Sequence, residues 1–362
     1  MPDFNLTELA LKSVCPNNAV KYDDKGMPSI MVYIPKFQLN DVLATENTST
    51  HPAFIVNGKE IDGFWYSKYQ NVTNNGRLYS LPAEDPAVWI TLDSAVSQAK
   101  AKGQGWHEST AAERAALALW CKKNGTMPYG NNNFGKDSRE TSYRAIPAGS
   151  LDQNGKTARI YTGTGPLTWS HDGTPSGIWD LNGNVWEWQA GLRIVNGELQ
   201  ITPNNNAADG TNDISSASVL WKAIDAETGN LVTPDGSGTT GGTVKLDYRD
   251  GKWTYSTSIT ADKGTFGCGF SAISVDDTIG TAAQLLLRAL AMLPESGDTG
   301  YDDDCFWADN SQAERCLFSG GGWDSGAGAG GFGSSLGSAR SSSGAHIGCR
   351  SAFCTIPTDD GE

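Results

Sequence analysis

The sequence predicts an α+β fold with short strands, a few helices and long irregular loops. Several short runs rich in aromatic and β-branched residues are bounded by turn residues, which is typical of strands. A few other segments combine helix-capping residues with apolar residues at helical spacing. The 362 residues include 43 Gly beside 12 Trp, 11 Tyr and 11 Phe, a composition that indicates a loop-rich globular chain with aromatic anchors.

The polar start of the chain, residues 1–28, predicts an N-terminal arm that packs on a neighbouring subunit and so serves oligomerisation. It lacks the basic and apolar regions of a signal peptide, so we expect synthesis in the cytoplasm. Residues 29–37 and 63–69 are rich in Ile, Val, Tyr, Phe and Trp and predict two strands. Asn and Gly at 74–76 predict a tight turn.

Two helices are predicted next. Thr91 is placed to cap a helix over about 92–102. Thr110 and Glu113 have the spacing of a capping box, in which hydroxyl and carboxylate satisfy each other's free N–H groups. Asn124-Gly125 predicts the end of that second helix.

The middle of the chain is irregular and then reaches a tryptophan-rich strand. Asn182-Gly183 predicts a tight turn. The strand that follows alternates, so Trp186 and Trp188 should face one side and Glu187 the other. We expect the two indoles to be central core residues.

The turn-dense stretch 196–262 is interpreted as a β-rich insertion, with a hairpin that turns at Asp250-Gly251. A helix is predicted over about 280–293, where leucines and an alanine repeat at helical spacing before Pro294.

The stretch from Cys316 to Phe353 consists mostly of Gly, Ser and Ala between a few large apolar residues and arginines. It could be a flexible tail, or an ordered surface with fixed anchors and small residues between them. We favour the ordered surface, because linkers rarely contain spaced Trp, Phe, Leu, Ile and Arg residues.

The net charge of −14 and the low isoelectric point argue against nucleic acid or an anionic membrane surface as partner. No apolar run approaches the ~18 residues that span a bilayer. The seven cysteines are irregularly spaced, so free thiols are expected, and the four histidines show no zinc-ligand spacing.

Several landmarks together resemble the formylglycine-generating enzyme (sulfatase-modifying factor) family, a branch of the C-type lectin fold. They are Val32-Tyr33-Ile34-Pro35, Phe64 to Tyr69, Gly105-Trp106 to Glu113, Tyr129-Gly130-Asn131, Gly183-Asn184-Val185-Trp186-Glu187-Trp188 and a terminal Gly-x-Arg. The resemblance implies a C-type lectin-like domain whose first part is 29–195 and whose second part is 263–362, with a variable ligand-binding region at 316–354.

Within that family, the closing stretch resembles the variable region of diversity-generating retroelement proteins, in Gly321-Gly322-Trp323, Ala339-Arg340-Ser341 and Gly348-Cys349-Arg350. There, adenines of Asn-type codons are mutated at random. Such codons cannot yield Lys, Glu, Gln, Met or Trp, and 324–349 contains none of these. The alternative is a loop in which small residues simply cluster, which would also avoid most of these residue types. The resemblance implies fixed scaffold residues at Trp323, Phe332, Arg340 and Arg350. It implies variable ligand-binding positions at Gly322, Asp324, Ser325, Gly328, Gly333, Ser335, Gly337, Ser338, Ser342, Gly344, Ala345 and His346.

The function implied is a hypervariable binding protein for a protein or glycan receptor on a bacterial cell, at the tip of a phage or prophage tail fibre. Because the variable positions are mostly Gly and Ser, we expect weak intrinsic affinity, raised by avidity in a homo-oligomer such as a trimer. A bacterial surface adhesin, anchored through a partner protein, is the alternative location and role.

A formylglycine-generating-type oxidase is the enzymatic alternative. The family's two copper-binding cysteines would fall near Ala327 and Phe332, where no sulfur is present. Cys349 and Cys354 have the right internal spacing but lie about twenty residues later. Without thiolates at the reaction centre that chemistry should be absent, so we expect no enzyme and no required cofactor.

The resemblance also implies one structural calcium site. Its ligands would be Asn182, the carbonyls of Gly183 and Val185, and Glu187. An all-oxygen shell suits Ca²⁺. The simpler alternative is that Asn182 only makes the turn and Glu187 pairs with an arginine.

Overall fold

The computed structural model describes residues 6–142 and 144–357. Helix takes up 17% of the chain and strand 28%, in mixed order, which confirms the α+β prediction. Among the described residues, no helix is both long and apolar enough to cross a membrane. The helices are α1 (Leu6–Val14), α2 (Leu39–Val42), α3 (Leu92–Lys100), α4 (Ala111–Asn124) and α5 (Thr281–Ala289).

The strands are short and scattered along the whole chain. In chain order they are β1 (Asn18–Tyr22), β2 (Pro28–Pro35), β3 (Ile55–Val56), β4 (Lys59–Glu60), β5 (Gly63–Ser67), β6 (Val72–Asn74), β7 (Arg77–Tyr79), β8 (Trp106–Glu108), β9 (Trp186–Val195), β10 (Glu198–Ile201), β11 (Lys222–Ile224), β12 (Leu231–Val232), β13 (Lys245–Arg249), β14 (Lys252–Ser256), β15 (Phe266–Gly269), β16 (Ser274–Val275), β17 (Cys305–Ala308), β18 (Arg315–Ser319), β19 (Ser334–Ser338), β20 (Ile347–Gly348) and β21 (Ser351–Phe353).

A five-stranded sheet has the order β1-β2-β5-β21-β8, so a strand near the C-terminal end of the chain lies between two strands of the first third. β21 pairs antiparallel with both β5 and β8. β1 pairs with β2 over five residues, from Asn18 to Tyr22. The second half of the predicted arm is therefore part of this sheet, and its first five residues lie outside the described part of the chain.

The larger sheet has twelve strands, with β15-β17-β19-β18-β9-β10-β13-β14-β16 as its main path. β10 continues the hairpin from β9, and β13 and β14 form the predicted hairpin around Asp250-Gly251. The stretch 196–262 thus extends the main sheet rather than standing apart from it. Its Val244, Leu246 and Trp253 are buried in the main hydrophobic core.

Local capping chemistry explains where the helices begin and end. Thr91 Oγ accepts from the main chain of α3, as predicted. Thr110 and Glu113 form both bonds of the capping box, each 3.1 Å, and Gly125 at φ +66° ends α4.

The last helix ends earlier than its sequence predicts. Ala291 takes a left-handed conformation at φ +51°, and Met292 N–H donates to Leu287 O at 2.9 Å. This Schellman-type ending closes α5 at Ala289, before Pro294 is reached. The predicted end at about 293 was therefore wrong.

The tryptophan-rich strand β9 is buried on both faces. Trp188 is fully buried and its indole N–H donates to Ile90 O at 2.9 Å. Trp186 is buried as well, in the same cluster of apolar side chains. Glu187, on the opposite face, is also buried, so this strand crosses the interior of the protein.

Candidate ligand-binding surface

The segment 316–353 is ordered and contributes strands to both the twelve-stranded and the five-stranded sheet. β18 pairs with β9 and β19, while β20 pairs with β9 and β21 joins the five-stranded sheet. The intervening loops are held by main-chain hydrogen bonds, such as Gly326 N–H to Asn132 O at 2.8 Å and Phe134 N–H to Trp323 O at 2.8 Å. Of the two alternatives that the sequence left open, the structure shows the ordered one.

Arg350 is fully buried and forms two hydrogen bonds with Glu187. Its Nε lies 2.7 Å from Oε2 and its NH2 group 2.8 Å from Oε1. Arg350 also donates to the carbonyls of Ser67 and Trp179, each at 3.0 Å. Burial alone would raise the pKa of Glu187, but the guanidinium lowers that pKa below its ordinary value. The end of the candidate region is therefore tied to β9 through a buried ion pair.

The oxygens predicted for calcium surround a glutamine side chain. The amide nitrogen of Gln70 lies 3.2 Å from Gly183 O, 3.0 Å from Val185 O and 3.0 Å from Glu187 Oε1. Asn182 donates its own amide to another main-chain carbonyl at 2.9 Å. The Gln70 amide thus takes the place predicted for the ion. Calcium binding stays a prediction, and it requires the Gln70 side chain to leave this position. Within 6–142 and 144–357, no group of three or more His, Cys, Asp or Glu residues is arranged to hold a metal.

The other predicted scaffold residues are also buried. Arg340 pairs with Asp93 at 2.8 Å and with Glu314 at 3.2 Å, joining the loop after β19 to α3 and to the start of β18. Phe332 packs among aromatic rings, and Trp323 lies against apolar side chains below the loop. These contacts anchor the loop after β18 and the loop after β19.

The twelve candidate contact positions differ in exposure. Asp324 and His346 are exposed. Half-buried positions are Ser325, Gly328, Gly337, Ser338, Ser342 and Ala345, and buried positions are Gly322, Gly333, Ser335 and Gly344.

The four buried positions do not belong to the ordered surface that the sequence predicts. A Cβ atom at Gly333 would lie 2.8 Å from Gly330 N and 3.1 Å from Gly328 O, so main-chain atoms leave no room for a side chain. Ser335 lies within β19, where its hydroxyl accepts from Gly337 N–H at 3.2 Å. These two positions are constrained by the fold.

Gly322 and Gly344 are buried in a different way, since side chains rather than main chain lie beside them. A Cβ at Gly322 would lie 3.4 Å from Trp186 Cδ1, and one at Gly344 would lie 3.2 Å from the ring of His346. A Cβ at the half-buried Gly328 would lie 3.1 Å from Trp307 Cη2. Larger residues at Gly322 and Gly328 would therefore pack on indole rings.

Those indoles form a connected group next to the loops. Trp186 and Trp307 meet edge to face with ring centroids 5.5 Å apart. Trp323 lies 6.0 Å from the ring of His346. The loops thus combine small side chains with large aromatic neighbours.

Trp89 is a neighbour that the sequence analysis missed. It is 68% exposed and has φ +60°, an unusual backbone conformation for a bulky residue, which costs about 1–3 kcal/mol. Its main-chain N–H donates to Gly344 O at 3.0 Å, which places it next to Ala345 and His346. No periodic pattern surrounds Trp89, so no sequence signal distinguished it from a buried aromatic residue.

The seven cysteines are free, and those considered for an oxidase are unsuited to form thiolates. Cys349 and Cys354 are both buried, and burial raises the pKa of each thiol above its ordinary value. Burial likewise raises the pKa of Cys305 and of Cys316 to about 12. Reactive cysteines require the opposite shift, since the thiolate is the nucleophile and the metal ligand.

No family model matches this sequence, and no curated protein matches it either. Among solved structures, PvdO from Pseudomonas aeruginosa is similar at a TM-score of 0.35 and 14% identity, over 92% of this chain and 97% of that one. The P3c variant of the Major Tropism Determinant is similar at 0.29 and 10% identity, over 93% of this chain and 71% of that one. Its U1 variant is similar at 0.29 and 11% identity, with the same coverage. TM-scores below 0.5 do not establish a common fold, so the C-type lectin-like fold stays an expectation from the sequence motifs.

Proposed function

We propose that this chain is a receptor-binding protein with a C-type lectin-like body, diversified by a retroelement. Its receptor is a protein or glycan on a bacterial cell surface, and its place is the tip of a phage or prophage tail fibre. The contact surface consists of residues 324–328 and 337–346, which we call the contact loops. A homo-oligomer, such as a trimer, would raise the avidity of a weak single site.

The observation that carries this proposal is the position of the contact loops between buried anchors. Eight of the candidate positions are exposed or half-buried, while Arg340 within the second loop and Arg350 just after it are fixed by ion pairs. Substitutions at exposed positions usually change the free energy of unfolding by no more than about 0.5 kcal/mol. Such loops can change partner while the fold persists, and their fixed ends limit the ordering cost of binding.

The state of the thiols supports a binding role over the oxidase alternative. Oxidase chemistry of the resembled family needs two thiolates, whereas burial keeps Cys349 and Cys354 protonated. The proposal therefore assigns no catalytic residue and requires no cofactor.

The test is binding of the fluorescently labelled protein to a panel of intact bacterial strains. We expect at least one strain to be bound, and the double variant Asp324→Ala, His346→Ala to lose at least tenfold in affinity with an unchanged melting temperature. The control is Glu46→Ala, Lys25→Ala, which alters two exposed charged residues elsewhere. Equal binding by both double variants would remove the contact loops from the proposal, and a mass measurement showing only monomer would remove the trimer.

The diversification is tested in the flanking DNA. We expect a near-copy of codons 316–354 that differs only at adenines, beside a reverse transcriptase gene. A flank without either would leave a binding protein that no retroelement diversifies.

A further inference from the structure

Trp89 lies at the edge of a groove of about 780 Å³ next to the contact loops. The loop that presents Trp89 is joined to the contact loops by two main-chain hydrogen bonds. One runs from Trp89 N–H to Gly344 O at 3.0 Å, and the other from Leu92 N–H to Arg340 O at 3.2 Å. The main chain that carries the indole is therefore positioned by the same segment that holds the candidate variable residues.

The main chain around Trp89 is fixed on its other side as well. Ala87 N–H donates to Asn71 O at 2.8 Å, and Ile90 O accepts from the indole of Trp188 at 2.9 Å. A Cβ at Gly348 would lie 2.6 Å from Ala87 O, so the two segments touch through their backbones. The main chain that presents Trp89 therefore needs no further ordering when a ligand binds, which lowers the cost of binding.

The wall of the groove is a row of neutral polar side chains. Gln98 donates to Ser94 Oγ at 2.9 Å and accepts from Thr73 Oγ at 3.0 Å. The Ser94 hydroxyl hydrogen and the second amide hydrogen of Gln98 have no hydrogen-bond acceptor within the described part of the chain. Groups of this kind both donate and accept, as the hydroxyls of a ligand do.

The charges around the groove restrict the ligand further. Among the described residues that line it there is no lysine or arginine, and the two carboxylates there belong to the exposed Glu84 and to Asp85. Asp85 is paired with Arg159 through two bonds of 2.6 and 2.8 Å. With a chain charge of −14, this environment disfavours anionic ligands.

We propose that the Trp89 groove binds a neutral saccharide unit of the receptor. A sugar ring offers an apolar C–H face that matches the indole and hydroxyls that match the Gln98 row, the combination of aromatic and few polar groups typical of small-ligand sites. This inference rests on the proposed receptor-binding function and deepens it. The groove supplies a constant aromatic contact, and the contact loops beside it supply the part that varies.

The test is an array of neutral, sialylated and phosphorylated glycans, followed by fluorescence titration of the best neutral glycan. We expect the protein to bind at least one neutral glycan, and Trp89→Gly to bind it at least tenfold more weakly. Because glycine accepts φ +60° freely, Trp89→Gly should not lower the melting temperature, so weaker binding cannot be attributed to unfolding. Gln98→Ala should weaken binding about three- to tenfold.

The matched control is Trp65→Ala, which removes a half-buried indole from β5 in the other sheet. It should leave glycan binding within twofold. The inference is overturned when no neutral glycan binds, when only anionic glycans bind, or when Trp89→Gly binds as the unchanged protein does. Loss of cell binding in the Asp324→Ala, His346→Ala variant would still support the proposed function in each of those cases.

Discussion

The buried polar core around Glu187 and the contact loops are connected through Arg350, which follows the loops in the chain, but they are fixed by different interactions. In the core, Gln70, Glu187 and Arg350 bind one another and main-chain carbonyls with almost no contact to solvent. In the contact loops, order comes from main-chain hydrogen bonds and from the ion pairs of Arg340.

This difference separates the positions that must be kept from those that can change. A buried charge needs its partner, because an unpaired charge in the interior is costly. A side chain that points to solvent from a loop of fixed backbone has no such requirement. Substitutions in the core should therefore be much more destabilising than substitutions on the exposed side of the contact loops.

The largest expected effect is at Arg350 in the core. Arg350→Met should lower the free energy of unfolding by about 3–5 kcal/mol, because it leaves Glu187 buried without its partner. Denaturant unfolding measures the loss, and Arg144→Met, at an exposed residue, is the control. The double variant Glu187→Gln, Arg350→Met should recover part of the loss. A single variant as stable as the control would show that the ion pair does not hold the core.

A smaller effect, with a pH dependence, is expected at Asp180 in the same core. Burial raises the pKa of Asp180 to about 6, and its Oδ1 has no hydrogen-bond partner. A raised folded-state pKa favours folding below the ordinary carboxyl pKa of about 4, and this contribution is lost as the pH rises through about 6.

Asp180→Asn has no carboxyl group to ionise, so it should not lose stability as the pH rises. Asparagine also tolerates the left-handed backbone of this residue at φ +61°. The variant should therefore be roughly 2–3 kcal/mol more stable than the unchanged protein at pH 7 and about equal at pH 4. Melting curves across this range measure the difference, with the exposed Asp324→Asn as control. A constant difference between pH 4 and pH 7 would contradict the assignment.

The smallest effect compares two positions within the region predicted to vary. Gly333→Ser should lower the free energy of unfolding by about 1–3 kcal/mol, since its Cβ would meet main-chain atoms at 2.8 Å. Ser342→Asn, at a half-buried loop residue, should change it by no more than about 0.5 kcal/mol. Thermal unfolding of both variants measures the contrast. Similar losses at the two positions would mean that the loops are as constrained as the core.

Much of the fold was predictable because capping and turn signals act locally. The capping box at Thr110 and Glu113, the cap at Thr91 and the hairpin at Asp250-Gly251 all form as the sequence indicates. The end of α5 was mispredicted, since an alanine rather than a glycine adopts the left-handed conformation there. Alanine gives no sequence signal for such an ending.

The site was less predictable. The small residues and the burial of Arg350 agree with an ordered, anchored region, but Gly333 and Ser335 were assigned to a surface that they do not reach. Exposure depends on what packs above a residue, and at Gly333 the covering atoms are main-chain atoms of Gly328 and Gly330 that only the folded loop brings together. For the same reason the exposed Trp89 could not be distinguished from the tryptophans of the core.

The sequence by itself determined the α+β class, the starts of α3, α4 and α5, the tight turns and the presence of spaced anchors among small residues. Each of these depends on residues that are neighbours in the chain. Only the tertiary structure decided that Gln70 enters the oxygen cluster at 183–187, that Arg350 pairs with Glu187, and that Trp89 lies beside Gly344. Those contacts join residues more than a hundred positions apart, and no local spacing encodes which of many distant partners a side chain will meet.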